Sequence, residues 1–469
     1  PAPAAIAEIK LPSVENFKLE NGLDVYLVRQ DKLPTVTMSF EFDLGAVDDP
    51  KAKTGLASIC MDLLDEGTKK YETAQFEEKQ ADHAVNVSSS GGAESSSIRV
   101  NALTTQLAPA LDLLAEMMLT PGMRQADLDR IKERRKASLL QAKASPGPIA
   151  GRVFGALIWG DGHPYGRIET DASIDAVTLK DCAKVIAKLK PGGAKLWVTG
   201  MIGKDELTKA VESRLPAWKG KAPTQPKIAA AKPRLGTVFF VHVKDAAQSS
   251  IYVGHPGPRR QDADYEATDL MMEILGGSFS SRINMNLRED KGYTYGARGG
   301  FAYAAHGGTL SVSAPVAAAA AAQTIREIDR ELKGLWGRRP GFRITAAELA
   351  REREGAILAL PARFATAQAA IGQYRGLVYF GLPLDHYATY AARLAAVTAA
   401  EVEAAAARAL RPGQGVYLVV GDGAAPVNRR VDGVDVPERV AGAPLPLRAA
   451  LAAIADRGEV GAGGLVELD

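Results

Sequence analysis

The feature that most constrains this chain is an internal repeat of a whole domain. The series Val177-Thr178-Leu179, Leu189-Lys190-Pro191-Gly192 and Leu196-Trp197-Val198-Thr199-Gly200 returns as Val397-Thr398-Ala399, Leu410-Arg411-Pro412-Gly413 and Tyr417-Leu418-Val419-Val420-Gly421. The offset is 220 residues at the start and 221 at the end, a single insertion. Upstream, WGDGHPYG at 159–166 is loosely echoed by FGLPLDHY at 380–387. A repeat on this scale sets the number of folded units at two and outranks local assignments. Length agrees, since 469 residues exceed what one core ordinarily organises. Between the halves, AWKGKAPTQPKIAAAKPR at 217–234 is rich in Lys, Ala and Pro and reads as an extended linker. The expected division is therefore 1–216, a linker 217–234, 235–424 and a tail 425–469.

Strand and helix patterns alternate in both halves, which points to an α/β (α+β) fold. After an extended arm 1–16, Asn21-Gly22 makes a tight turn in a hairpin over 17–28. Strands are expected at 36–42, 96–103 and 195–200, and helices at 55–65, 74–85, 107–119, 127–145 and 179–189. Pro146 is read as the terminator of the 127–145 helix. The serine-rich 88–92 reads as a flexible turn. The second half restarts with strands 237–243 and 249–254, a helix at 264–275, and a helix at 316–336 that opens on an alanine run. The tail loses periodicity. It reads as an appendage on the second half or a partly mobile segment, with a short helix at 447–455.

Net charge of +2 excludes a strong electrostatic pull toward nucleic acid, and no apolar run is long enough to span a bilayer. Cys60 and Cys182 sit in helical contexts and read as small buried residues rather than a disulfide framework. The opening PAPAAIAEIKLP reads as a mature N-terminus left after a secretory signal is removed, or as an artificial boundary. A periplasmic or secreted bacterial location is expected, with the cytoplasm as the alternative.

One stretch carries candidate chemistry: GGSFSSRINMNLREDKGYTYGARGGF at 276–301. It reads as a small-residue turn, a short helix stopped by Gly292, and a strand in which Tyr293, Tyr295 and Ala297 alternate with Thr294 and Gly296. Arg288 ends the helix and Tyr295 enters the strand, so both can face one cleft across the Gly292 turn. A guanidinium fork and a phenol can together hold a peptide carbonyl or a carboxylate. The bland alternative is a surface arginine beside a half-buried tyrosine. Elsewhere, no two of the six histidines lie within five residues of each other, and neither a G-x-S-x-G elbow nor a P-loop occurs. Lys132, Arg134, Arg135 and Lys136 read as a solvated basic face.

The order Leu287-Arg288-Glu289-Asp290-Lys291-Gly292 followed by Tyr295-Gly296 closely resembles the C-terminal-half motif of the pitrilysin/insulinase family of inverted-zincin metallopeptidases. The resemblance covers roughly 19–423. It implies two homologous domains, each a mostly antiparallel sheet flanked by helices, that close as a clam over a chamber. Active members carry H-x-x-E-H on the first long helix of the N-terminal half, two histidines binding zinc and the glutamate acting as general base. A third ligand, a glutamate, comes from a later helix. In the matching segment GLASICMDLLDEGT at 55–68, Gly55, Ala57, Leu63, Gly67 and Thr68 keep the family's frame. The ligand and base positions fall on Ser58, Met61 and Asp62, and the third ligand's position falls near Leu139 or Leu140. The resemblance thus implies a degenerate zinc site, with no catalytic residue and no cofactor on this chain. It also implies that Arg288 and Tyr295 bind substrate. Such a chain is the zinc-less, substrate-binding subunit of a heterodimeric metallopeptidase. It is expected to be inactive alone and to degrade peptides together with a homologous zinc-bearing partner. Two rivals stand beside this reading: a structural or assembly protein that reuses the fold, and an enzyme with a metal site built around Asp62.

Overall fold

The computed structural model describes residues 11–221, 223–228 and 230–468. Most of the expected arm 1–16, and the reading of Pro1 as a mature N-terminus, lie outside the described residues.

Each half builds one six-stranded, mostly antiparallel sheet flanked by helices. The first sheet holds β1 (Glu15–Lys18), β2 (Asp24–Arg29), β3 (Thr35–Phe42), β4 (Asn86–Gly91), β5 (Ser96–Leu103) and β6 (Lys195–Gly200), in the spatial order β1-β2-β6-β3-β5-β4. The second holds β7 (Thr237–His242), β8 (Gln248–Gly257), β9 (Arg298–Ala304), β10 (Gly307–Ala317) and β11 (Val416–Gly421). Two small hairpins follow, β12 (Asn428–Val431) with β13 (Val434–Pro437) and β14 (Arg439–Val440) with β15 (Ala443–Pro444). The last strand, β16 (Leu465–Leu468), joins the second sheet, whose order is β16-β7-β11-β8-β10-β9. The sequence repeat is a repeat of topology: β6 and β11 are each parallel to one neighbour, β2 or β7, and antiparallel to the other, β3 or β8. The helices Leu179–Ile186 and Ala399–Ala409 that precede them both start on a threonine N-cap with an acid three residues on.

The halves differ at one edge. In the first sheet β1 pairs antiparallel with β2, whereas in the second β16 pairs parallel with β7. The tail therefore supplies a structural strand. Its helix Leu447–Asp456 buries Leu447, Ala450, Leu451 and Ile454.

Packing groups the chain into two compact units that are discontinuous in sequence, whereas the sequence reading draws continuous blocks. One unit contains the chain up to Leu139 with Glu169–Ile228 and Leu360–Ala388; the other contains Leu140–Ile168, Ala229–Ala359 and the chain from Thr389. Pro146 does not simply end a helix. It opens the helix Pro146–Trp159, at a first-turn position where its missing N–H costs nothing. That helix packs Ala150, Phe154 and Ile158 on Phe239, Leu418 and Val420 of the second sheet. Likewise the helix Ala367–Tyr379 belongs with the first sheet, tied through Gln368 to Thr199 and by an Arg375–Glu41 ion pair.

Two further expectations are corrected. Of the serine-rich 88–92, all but Gly92 is the end of edge strand β4 rather than a turn. Gly91 is required by packing: a Cβ there would sit 2.6 Å from the Cα of Ser58 on the helix Leu56–Leu64. Cys60 and Cys182 form a disulfide, their Cα atoms 4.9 Å apart. They come from helices Leu56–Leu64 and Leu179–Ile186, which pack face to face across 122 residues of sequence. Sequence distance concealed the proximity.

Candidate functional site

The helix Leu56–Leu64 starts at Gly55, whose φ of +99° suits glycine. The buried Asp49 carboxylate accepts the N–H groups of Gly55 and Ala57, both at 2.9 Å, and so caps the helix. Burial pushes Asp49 up to about 6. At the other end, Asp65 accepts the N–H and the hydroxyl of Ser89 at 2.6 and 2.8 Å, and burial pushes it up to about 7. These two carboxyls fix the helix against its surroundings.

Between them lie Ser58, Met61 and Asp62, the three residues expected at the degenerate zinc-site positions. Met61 is fully buried in the core, where a thioether has no proton to exchange. Ser58 and Asp62 face the helix Gln125–Ala142 and are joined there by Arg135. Its Nη2 donates to Ser58 Oγ at 2.5 Å and to Asp62 Oδ2 at 2.7 Å, and its Nη1 donates to Glu169 Oε1 at 3.1 Å. A guanidinium thus stands among the side chains expected at the ligand positions. One turn beyond it, Leu139 is buried and Leu140 is exposed. The basic run 132–136 is accordingly not all solvated face, because Arg135 is mostly buried and both its terminal nitrogens are paired with carboxylates. These residues do not fit zinc. A hydroxyl, a thioether and one carboxylate already committed to a cation make no ligand set. Among the described residues no group of three or more His, Cys, Asp or Glu is placed to hold a metal ion.

Arg288 and Tyr295 belong to the second unit. The short helix Arg282–Asn284 widens into the π-type turns of Met285–Asp290, which carry Arg288. The guanidinium lies over the Phe279 ring, 4.7 Å from its centroid, and pairs with Glu289 at 3.2 Å. Gly292, at φ +66°, turns the chain out. The expected strand through Tyr293 and Tyr295 is instead a loop, and the strand β9 starts only at Arg298. Two polar anchors explain the loop. Thr294 Oγ1 accepts from the Gly296 N–H at 3.1 Å and donates to the Pro315 carbonyl at 2.6 Å. Buried Asn284 donates to the Phe279 carbonyl at 2.6 Å and accepts the Ala297 N–H at 3.0 Å. Tyr293 turns inward, its hydroxyl donating to Asp435 at 3.1 Å. Tyr295 is left outward and 91% exposed. Among the described residues no hydrogen bond joins Arg288 to Tyr295.

Sequence reasoning missed Arg135, Glu169 and Asn284. Only Asn284 left a trace, as a polar residue among the apolar positions of RINMNL; the partners of Arg135 are distant in sequence.

The fold is a two-unit architecture of similar sheets, and in the first unit Arg135 bridges Ser58, Asp62 and Glu169. Residues 25–147 match the family model described as "Insulinase (Peptidase family M16)", and 176–355 match "Peptidase M16 inactive domain"; together they span well over half of the chain. The chain belongs to the M16 insulinase family. Among curated relatives, the "Non-peptidase homolog YmxG" of Helicobacter pylori is 24% identical over 364 residues, 75% of this chain and 81% of that one. The "Uncharacterized zinc protease ML0855" of Mycobacterium leprae is 27% identical over 59% of this chain and 64% of its own length. Among solved structures, the peptidase M16 inactive domain from Pseudomonas fluorescens superposes with a TM-score of 0.79 at 23% identity, covering 87% of this chain and 98% of that one. Complex III2 from Candida albicans gives 0.68 at 15% identity over 87% and 96%. The periplasmic protease PqqL from Escherichia coli gives 0.69 at 14% identity over 90% and 47%.

Proposed function

We propose that this chain is the zinc-less, substrate-binding subunit of a two-chain metallopeptidase. A homologous zinc-bearing partner supplies the metal and the general base. Arg288 and Tyr295 hold the peptide and stabilise the developing oxyanion at the partner's metal. The observation that carries this reading is an asymmetry. The positions that would bind metal are closed by Arg135, while Tyr295 is held open to solvent by a loop that Thr294 and Asn284 anchor. A chain kept only as scaffold has no evident use for that exposed phenol.

An extracytoplasmic setting fits the Cys60–Cys182 disulfide, because such bonds persist in oxidising compartments. The fold likeness to a complex III protein keeps a structural or assembly role as the second reading. Replacing Arg288 by Ala separates the two. In the mixed complex, Arg288→Ala should lower peptide hydrolysis at least about a hundredfold, as for removal of one oxyanion donor, with assembly intact. Undiminished hydrolysis would favour the structural role.

A further inference from the structure

The first sheet carries a cavity of about 760 Å³ on the face that the helix Ala367–Tyr379 covers. That is within the size range of small-ligand sites. Its lining comes entirely from the first unit. A recess of about 50 Å³ adjoins it, sharing Thr37, Arg99, Thr199 and Gln368, and extends to Ser39. Neither hollow includes Arg288, Tyr295 or the degenerate metal positions.

Three independent features give the cavity chemical character. Ser39 is only 8% exposed, lines the recess, and its hydroxyl has no hydrogen-bond partner among the described residues. Buried hydroxyls are ordinarily paired, so the recess is suited to receive a polar atom. Arg99 on β5 lines both hollows, and its guanidinium has no ion pair or hydrogen bond among the described residues. The neighbouring guanidiniums are committed, Arg29 to Asp31 and Arg375 to Glu41. Finally, the first turn of the helix Ala367–Tyr379 lines the cavity. Thr366 caps the Ala369 N–H, which leaves the N–H groups of Ala367 and Gln368 without intrahelical partners.

Two side-chain amides add direction. The Asn101 oxygen accepts from Thr37 at 3.0 Å and the Gln368 oxygen from Thr199 at 3.4 Å, so both NH₂ groups are left to donate. Leu33 and Phe364 provide an apolar wall. The combination is one free planar cation, several N–H donors and a modest apolar surface.

We propose that this cavity binds the C-terminal end of a short peptide. The terminal carboxylate sits on Arg99 and the first turn of the helix, and the last side chain rests against Leu33 and Phe364. The guanidinium fork matches a carboxylate, and the amides of Asn101 and Gln368 donate to the last peptide carbonyls. The site is independent of the proposed grip by Arg288 and Tyr295.

Isothermal titration of the full chain tests it with three probes: the tripeptide Ala-Ala-Phe as free acid, the same peptide as C-terminal amide, and acetate. The free acid should bind, with the amide and acetate each at least about tenfold weaker, the scale of one charge-assisted hydrogen bond. Arg99→Gln should bring the free acid down to the affinity of the amide. Arg288→Ala should leave the preference for the acid unchanged, which separates failure of this site from failure of the subunit reading. Four results would overturn the proposal: no binding of the acid, equal binding of acid and amide, acetate binding as tightly as the peptide, or a preference that survives Arg99→Gln.

Discussion

Arg135 is the residue on which the proposed degenerate site turns. A cation held by Ser58, Asp62 and Glu169 both neutralises the carboxylates and repels a divalent ion. Restoring ligands alone should therefore fail to restore a site. The triple variant Ser58→His, Met61→Glu, Asp62→His should bind zinc weakly while Arg135 remains, and about a hundredfold more tightly once Arg135→Glu is added. Tight zinc binding by the triple variant alone, measured by competition with a chelator, would remove this role from Arg135. The same helix carries a pH signature. Burial holds Asp65 near 7 against an ordinary 3.8, so the folded chain keeps a proton that the unfolded chain releases. Stability should then fall as pH rises from about 4 to about 7, the sign expected for an acid raised on folding. Asp65→Asn should flatten that decline, by up to about 4 kcal/mol, in denaturant titrations. Little of this was legible in the sequence. The absence of histidines at 58 and 62 is plain, but the identity of what replaces the metal depends on pairings between residues more than 70 positions apart.

At the scale of elements, the cross-link and the loop anchor make separate predictions. The disulfide joins the helix that carries Ser58, Met61 and Asp62 to Leu179–Ile186, closing a span of 122 residues. Replacing both Cys60 and Cys182 by Ala should cost about 2–4 kcal/mol, read as a lower denaturant midpoint. An unchanged midpoint would mean that packing alone holds the two helices. Asn284 ties the Phe279 turn to the Ala297 N–H on either side of the Arg288–Tyr295 segment. Asn284→Ala leaves both partners unsatisfied and should cost about 1–3 kcal/mol. In the mixed complex it should also weaken substrate binding while Arg288 and Tyr295 remain in place. Elements with clean periodicity were legible: Leu107–Leu119 and Lys195–Gly200 fall where the apolar pattern puts them. Those shaped by tertiary demands were not. The end of β4 mimics a turn because the packed helix forbids a Cβ at Gly91 and Ser89 is bonded to Asp65 and Met61, and Tyr293 breaks the strand pattern because Asp435 draws its hydroxyl inward.

At the scale of the whole molecule, the repeat was the most informative reading, and it correctly anticipated two homologous sheets. It did not anticipate that the helix Pro146–Trp159 packs with the second sheet, or that β16 returns from the tail to complete that sheet. Both depend on where the chain travels after a break in periodicity. The central claim concerns division of labour between subunits. Its most direct measurement is hydrolysis of an unfolded peptide by this chain alone, by a homologous zinc-bearing subunit alone, and by an equimolar mixture of the two. The account predicts turnover in the mixture far above the sum of the separate preparations, lost when this chain carries Arg288→Ala. Turnover by this chain alone, or a mixture no faster than the zinc-bearing subunit by itself, would contradict it.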